Sequence, residues 1–226
     1  MKLGVLFSGG KDSAFACYQA MDKHDVCCLI SVVSENSESY MFHTPNISLV
    51  REQAKAMDIP IIVEKTVGKK EKELDDLCNV LQKAKDEFGI EGIVTGAIES
   101  VYQASRVQKI CKDLGLWCFN PLWKIDQVKL LNLLIDKGFK VIISGIGAYP
   151  FDDRWLGREI DKDCVDELIL YRDKYEINPS GEGGEFESLV LDAPMFKQRL
   201  EVMESSVDYA DHSGVFRIDK VKLVGK

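Results

Sequence analysis

Leu3-Gly4-Val5-Leu6-Phe7-Ser8-Gly9-Gly10-Lys11-Asp12-Ser13-Ala14-Phe15-Ala16 is the stretch whose reading decides the fold. The apolar run from Leu3 to Phe7 reads as a buried strand. From about Ser13 the apolar residues Phe15, Ala16 and Ala20 fall on one side of a helix. A glycine pair between strand and helix lets the backbone approach a ligand closely, and the helix start aims several N–H groups at it. Phosphate is the natural guest. The spacing is neither that of a Walker loop, with four residues before Gly-Lys and a Ser or Thr after it, nor the three spaced glycines of a dinucleotide fingerprint.

Outward from this loop the chain alternates strands and helices. Val26 to Val33 is a second buried strand, and the polar stretch Ser34 to Asn46 is long for a strand-to-helix connection, as functional loops often are. A helix follows over Ile47 to Met57, a strand over Ile59 to Val63, and a long charged helix from Lys69 to Phe88 whose Leu74, Leu77, Leu81 and Ala84 face inward. Gly92 to Ala97 is a buried strand ending in small residues that would admit a ligand at its carboxyl end. Ser100 to Leu114 is a helix, Trp117 to Phe119 a short strand, Val128 to Lys137 a helix and Lys140 to Ile146 the fifth long strand. Such alternation means parallel strands joined by helical crossovers. The expected fold is therefore α/β: a doubly wound, mostly parallel five-stranded sheet over residues 1–146. A smaller C-terminal α+β domain over 147–226 would close over the sheet's carboxyl edge. In it, Asp161 to Tyr175 is a helix and Val215 to Val224 an antiparallel strand with one wet face.

With 226 residues the chain can bury a substantial core. It has no apolar run of eighteen residues and no basic-then-apolar leader, so neither a membrane span nor secretion is expected. A formal charge of −8 argues against broad nucleic-acid binding and leaves room for a basic protein partner. The seven cysteines include no Cys-x-x-Cys, so zinc and iron–sulfur readings lack their spacing. Mostly buried, reduced thiols of a cytoplasmic protein are expected. The sequence leaves a homo-oligomer open.

Ser-Gly-Gly-x-Asp-Ser directly after the first strand resembles the PP-loop of the ATP pyrophosphatases, which hold the β,γ-pyrophosphate of ATP while a substrate attacks the α-phosphorus. Further elements extend the resemblance: Ser39 to Thr44, Gly96-Ala97-Ile98, Tyr102-Gln103, Arg106, and Gly181-Glu182-Gly183-Gly184-Glu185-Phe186-Glu187. Together these look like the diphthine–ammonia ligase family, the N-type ATP pyrophosphatases. The resemblance implies amidation of diphthine, a modified histidine on translation elongation factor 2, by ammonium. ATP and Mg2+ would serve as cofactors, and AMP and pyrophosphate would be released through an acyl-adenylate.

It also implies roles for residues. Ser8, Gly9, Gly10 and Ser13 would hold the pyrophosphate, with Lys11 as charge support. Asp12 would be a catalytic residue and the metal ligand, with a helix cap as the alternative. Ser31 would line the adenine, and Gly96 and Ala97 would pass close to the ribose or α-phosphate. Tyr40, His43, Tyr102, Gln103, Arg106, Glu182, Gly183, Gly184 and Phe186 would bind the substrate, Arg106 reaching a phosphate or the substrate carboxylate. Glu185 and Glu187 would be catalytic, capturing ammonium. A trimethylammonium group would be met by these acids and by aromatic faces, for which Tyr40, Phe42, Tyr102 and Trp155 are candidates. The chain begins Met1-Lys2, with no N-terminal cysteine, and too few residues follow the ATP domain for a glutaminase, so ammonium is expected to serve directly. Two readings stand beside this one: a PP-loop enzyme acting on transfer RNA, and a non-catalytic ATP-binding module.

Overall fold

The structure is a computed structural model describing residues 1–34, 45–67 and 72–226. The chain forms two compact units, Met1–Trp123 and Lys124–Lys226.

In the first unit β1 (Lys2–Leu6) leads through the glycine loop into α1 (Lys11–Met21) and β2 (Asp25–Ser34). A 3-10 turn at Ile47–Leu49 runs into α2 (Val50–Met57), followed by β3 (Ile61–Thr66), α3 (Lys72–Phe88), β4 (Gly92–Val94), α4 (Val101–Asp113) and β5 (Trp117–Phe119). The five strands are parallel in the order β3-β2-β1-β4-β5. β1 is covered on both faces: Leu3 and Val5 are buried on one, Gly4 and, in part, Leu6 on the other. Against the sheet, Leu77, Val80, Leu81 and Ala84 of α3 and Val107 and Cys111 of α4 pack with Ile30, Ile62 and Ile93. The chain runs β1, β2, β3 to one side and returns to place β4 beside β1. The strand order therefore reverses between β1 and β4, and a crevice at the carboxyl ends of such a pair is where ligands bind in open α/β sheets.

The second unit opens with α5 (Gln127–Asp136) and β6 (Lys140–Gly147), then α6 (Lys162–Tyr175), β7 (Phe186–Asp192), β8 (Gln198–Ala210) and β9 (Ser213–Gly225). Its sheet is antiparallel, in the order β7-β6-β9-β8. A buried aromatic group joins Phe151, Trp155 and Phe186 to Tyr171, with Phe151 and Trp155 ring centroids 4.8 Å apart and edge-on. This geometry adds quadrupole attraction to area burial.

Three expectations differ from the fold. Lys140 to Ile146 is not the fifth strand of the parallel sheet; β5 takes that place, and β6 pairs antiparallel with β7 and β9. The division of the chain accordingly falls at 123/124 and not at 146/147. β6 lies inside its own sheet with Val141 to Ile146 buried, and a strand covered on both faces shows the same continuous apolar run in either kind of sheet. β4 stops at Val94, short of Ala97, because after a last bond from Thr95 N to Phe119 O the chain turns at Gly96 to run against the glycine loop.

Candidate functional site

The glycine loop is shaped from within. The Ser13 hydroxyl donates to Gly10 O (3.1 Å) and accepts from Ser8 N (3.2 Å), while Ser8 Oγ lies 3.2 Å from Ser13 Oγ. With the Ser13 proton given to Gly10, Ser8 is the donor between the two hydroxyls. Gly10 N in turn reaches Ser8 Oγ at 3.4 Å. The serines thus fold the loop, accepting from Ser8 N and Gly10 N between them. Gly9 has φ +82, a left-handed conformation that glycine adopts without strain.

The start of α1 differs from those of α4, α5 and α6. Ser100 caps Gln103 N (3.3 Å), Asp126 caps Lys129 N (2.8 Å) and Asp161 caps Cys164 N (2.8 Å), whereas the N-cap of α1, Gly10, has no side-chain cap. The cap alternative for Asp12 is therefore not what forms. Asp12 Oδ2 instead pairs with Lys11 Nζ at 2.9 Å, and the Lys11 side chain is only 4% exposed. Asp12 Oδ1 is buried without a hydrogen-bond partner. A buried anionic oxygen left unmatched is costly unless a ligand meets it.

Two neighbouring strands complete the surroundings. Gly96, just past β4, runs so close to the loop that a Cβ there would lie 2.7 Å from Ser13 N and 2.8 Å from Asp12 C. Thr95 fixes that approach: its N–H donates to Phe119 O (2.9 Å), its hydroxyl to Asn120 Oδ1 (2.5 Å), and it accepts from Ala97 N (3.2 Å). On the other side Phe7 N donates to Ile30 O (2.8 Å), bringing Ser31 level with the base of the loop. Ser31 is 2% exposed and its hydroxyl has no partner. The loop, Asp12 and Gly96 thus meet at the carboxyl ends of β1 and β4, with Ser31 of β2 level with the end of β1. Gln53, which in the sequence is only one of the residues marking the turns of α2, is fully buried and donates from Nε2 to Gly9 O at 2.9 Å. Its one visible signal was a polar residue on the inward face of an amphipathic helix.

These residues suit ATP and a divalent cation. Unpartnered Asp12 Oδ1 is a single hard oxygen ligand, the number Mg2+ commonly takes from protein when phosphates and water supply the rest. Among the described residues there is no cluster of three or more His, Cys, Asp or Glu that could hold a metal alone.

Other predicted residues fall differently. On α4 the Arg106 guanidinium lies 3.4 Å over the Tyr102 ring and donates to Tyr102 O (3.4 Å), so it is folded onto its own helix. Gln103 N is engaged by Ser100. Tyr40, Phe42 and His43 lie outside the described residues.

The acidic loop belongs to the second unit. Glu185 Oε1 accepts from Asn178 N and Oε2 from Gly183 N, both at 2.8 Å. Gly184 N donates to Gly181 O (3.1 Å), and Gly147 N of β6 donates to Glu185 O (2.9 Å). Gly181 is required by contact, since a Cβ there would lie 2.6 Å from Phe186 O, whereas a Cβ on Gly183, 2.6 Å from the Glu185 carboxylate, would make that carboxylate shift. With both oxygens on backbone N–H groups, Glu185 acts as the loop's internal clasp. Phe186 and Trp155, expected to face substrate, are core residues at 2% and 0% exposure, because their rings fill the cluster around Phe151. Glu187 at the start of β7 is exposed, and Glu182 half-buried.

A glycine loop without a side-chain cap, set where the order of a parallel sheet reverses, defines a nucleotide-binding α/β protein of the PP-loop class, here with an antiparallel second unit. The chain belongs to the diphthamide synthase family: the family's N-terminal domain matches residues 1–118 and its C-terminal domain residues 126–224, on either side of the division at 123/124. A diphthine–ammonia ligase of Schizosaccharomyces pombe is 33% identical over 230 residues, which cover 94% of this chain and 38% of that protein. One of Bos taurus is 33% identical over 227 residues, covering 92% of this chain and 85% of that protein. A solved structure described as a predicted subunit of tRNA methyltransferase from Methanocaldococcus jannaschii aligns with a TM-score of 0.47 and 19% identity, over 86% of this chain and 98% of that one. Among the described residues no helix is long and apolar enough to cross a membrane.

Proposed function

We propose that this protein is an AMP-forming carbon–nitrogen ligase that converts diphthine on translation elongation factor 2 to diphthamide, with ammonium as nitrogen source. The observation that carries the reading is the convergence of the α1 start, Asp12 Oδ1, Ser31 and the Gly96 backbone, on a chain whose family relatives bear the name diphthine–ammonia ligase.

The chemistry explains the need for ATP. Ammonia and a carboxylate exchange a proton at neutral pH, because oxide is a very poor leaving group. Attack of the diphthine carboxylate on the α-phosphorus forms a mixed anhydride and breaks the bond to pyrophosphate. Ammonia then adds to the acyl carbon, a proton is lost and AMP departs. The N–H groups at the start of α1 would hold the charge growing on pyrophosphate, and preorganised donors are worth most where charge develops. A bound Mg2+ would neutralise phosphate charge, with Asp12 Oδ1 as its protein ligand. Gly96 and Ala97 would carry the backbone past the ribose or α-phosphate, and Ser31 would offer its hydroxyl to the nucleoside.

In the second unit Glu187 and Glu182 are the acids for ammonium or the trimethylammonium group, and Glu185 holds the loop that presents them. Tyr102, Gln103 and Arg106 remain proposed substrate contacts, Arg106 after release from Tyr102. A cytoplasmic setting fits seven free thiols. The test is incubation with ATP, Mg2+, ammonium and diphthine-bearing elongation factor 2, followed by mass measurement of the modified histidine. Conversion of its carboxylate to an amide is expected. An unchanged mass, with AMP formed on transfer RNA instead, would refute the proposal.

A further inference from the structure

Gln53 is completely buried, yet it is polar and its amide nitrogen meets the carbonyl of Gly9 at 2.9 Å across 44 residues of sequence. A carbonyl oxygen can only accept, so the amide must turn its nitrogen toward it. Of the loop hydrogen bonds described above, this one comes from outside the strand, loop and first helix. The two residues are also matched in shape: a Cβ added to Gly9 would run into the Gln53 amide.

The consequence lies in the peptide unit. Gly9 O and Gly10 N belong to one planar trans amide, in which C=O and N–H point in opposite directions. Holding Gly9 O against α2 therefore turns the Gly10 N–H to the other side, where it meets Ser8 Oγ. A Gly-Gly peptide has little steric resistance to flipping, and a flip would aim a carbonyl oxygen at the phosphates in place of an N–H. We propose that Gln53 is a positioning residue for pyrophosphate: it locks the Gly9–Gly10 peptide in the donor-inward orientation before the nucleotide arrives. The inference rests on the reading of this loop as the pyrophosphate site. Preorganisation of this kind raises affinity by removing an ordering cost from binding.

The experiment is calorimetric titration of the full chain with inorganic pyrophosphate and, separately, with AMP, for wild type, Gln53→Met and Gln53→Glu. Met keeps length and volume but cannot donate. Pyrophosphate affinity should fall about 3–10-fold, the equivalent of one net hydrogen bond, while AMP affinity changes less than about twofold. Glu adds a pH readout. Its protonated carboxyl can donate to Gly9 O, whereas the carboxylate repels both that oxygen and the ligand. Relative to wild type, Gln53→Glu should therefore lose pyrophosphate affinity as pH rises, and burial moves that loss above the ordinary carboxylate range. A purely structural residue would lower the melting temperature without separating the two ligands and without a pH trend. Equal affinity of Gln53→Met and wild type for pyrophosphate, an equal fall for both ligands, or a pH-independent Gln53→Glu would overturn the proposal. Wild-type protein with no affinity for pyrophosphate or ATP would remove the nucleotide reading itself, and the inference with it.

Discussion

The backbone of Gly96 lies against that of Ser13 so closely that a single methyl group on Gly96 would come within 2.7 Å of the Ser13 nitrogen. Two segments more than eighty residues apart in sequence thus form one surface, the end of β4 serving as a wall for the start of α1. Backbone cannot swing aside as a flexible side chain can, so Gly96→Ala must displace one segment. We expect a loss of about 1–3 kcal/mol of stability, the usual scale of overpacking, together with weaker ATP binding. Thermal melts and ATP titration check both. An unchanged melting temperature with unchanged affinity would show that the two segments are not in contact.

Asp12→Asn keeps the shape of the side chain but removes the charge that faces Lys11 and the anionic oxygen offered to a cation. Turnover should slow by about 10² or more, the scale of a lost transition-state contact. The Mg2+ concentration for half-maximal rate should rise. A rate within a few-fold of wild type at all Mg2+ concentrations would exclude Asp12 as the ligand.

The two acids of the Gly-Glu-Phe-Glu segment should separate. In Glu185→Gln, one of the two N–H groups now clasped by carboxylate oxygens would face an amide NH2. A hydrogen bond to a charged group is worth about 1.5–3 kcal/mol, so the loop should loosen and melting should occur earlier. Glu187→Gln, at an exposed position, should lower amidation and shift melting less than Glu185→Gln does. Both variants should keep ATP affinity within a factor of a few. A stable Glu185→Gln protein with lost amidation would make Glu185 a direct participant instead of a clasp.

Thiol chemistry provides an independent check of the core. Burial pushes the Cys17, Cys28 and Cys164 thiols up to about 12. The hydrogen bond between Cys111 and Cys118 raises the first and lowers the second. A thiol with a raised pKa is neutral at about pH 8 and a poor nucleophile, whereas a lowered one supplies thiolate. Alkylation of the native protein should therefore label half-buried Cys118 ahead of Cys17, Cys28, Cys111 and Cys164. Peptide mapping that finds Cys17 labelled as fast as Cys118 would contradict the packing of α1.

The parts of the fold legible in sequence were those with a local signal. Strand, glycine pair and helix at Leu3 to Ala16 announced the phosphate loop, and the small residues after β4 announced a close approach. β6 was legible as a strand but not as a member of the second sheet, since partner choice is set by distant chain. β8 gave no signal because its residues are nearly all exposed, with Leu200 its one buried position, so no period of two develops. In the site, residue types were legible and their partners were not. Phe186 reads the same whether it faces solvent or Phe151, and Glu185 the same whether it binds substrate or Gly183 N. Gln53 is legible as a polar residue on an inward helix face, but its partner Gly9 lies 44 residues away and only folding brings the two together.

The central claim is that ATP is cleaved between its α and β phosphates at the glycine loop to activate a protein carboxylate. The most direct measurement is of the nucleotide products formed with ammonium, Mg2+ and diphthine-bearing elongation factor 2, with each reactant omitted in turn. AMP and pyrophosphate are expected in equal amounts, matched by amide formed and dependent on the modified factor. ADP and phosphate as products, or AMP at the same rate without the factor, would contradict it.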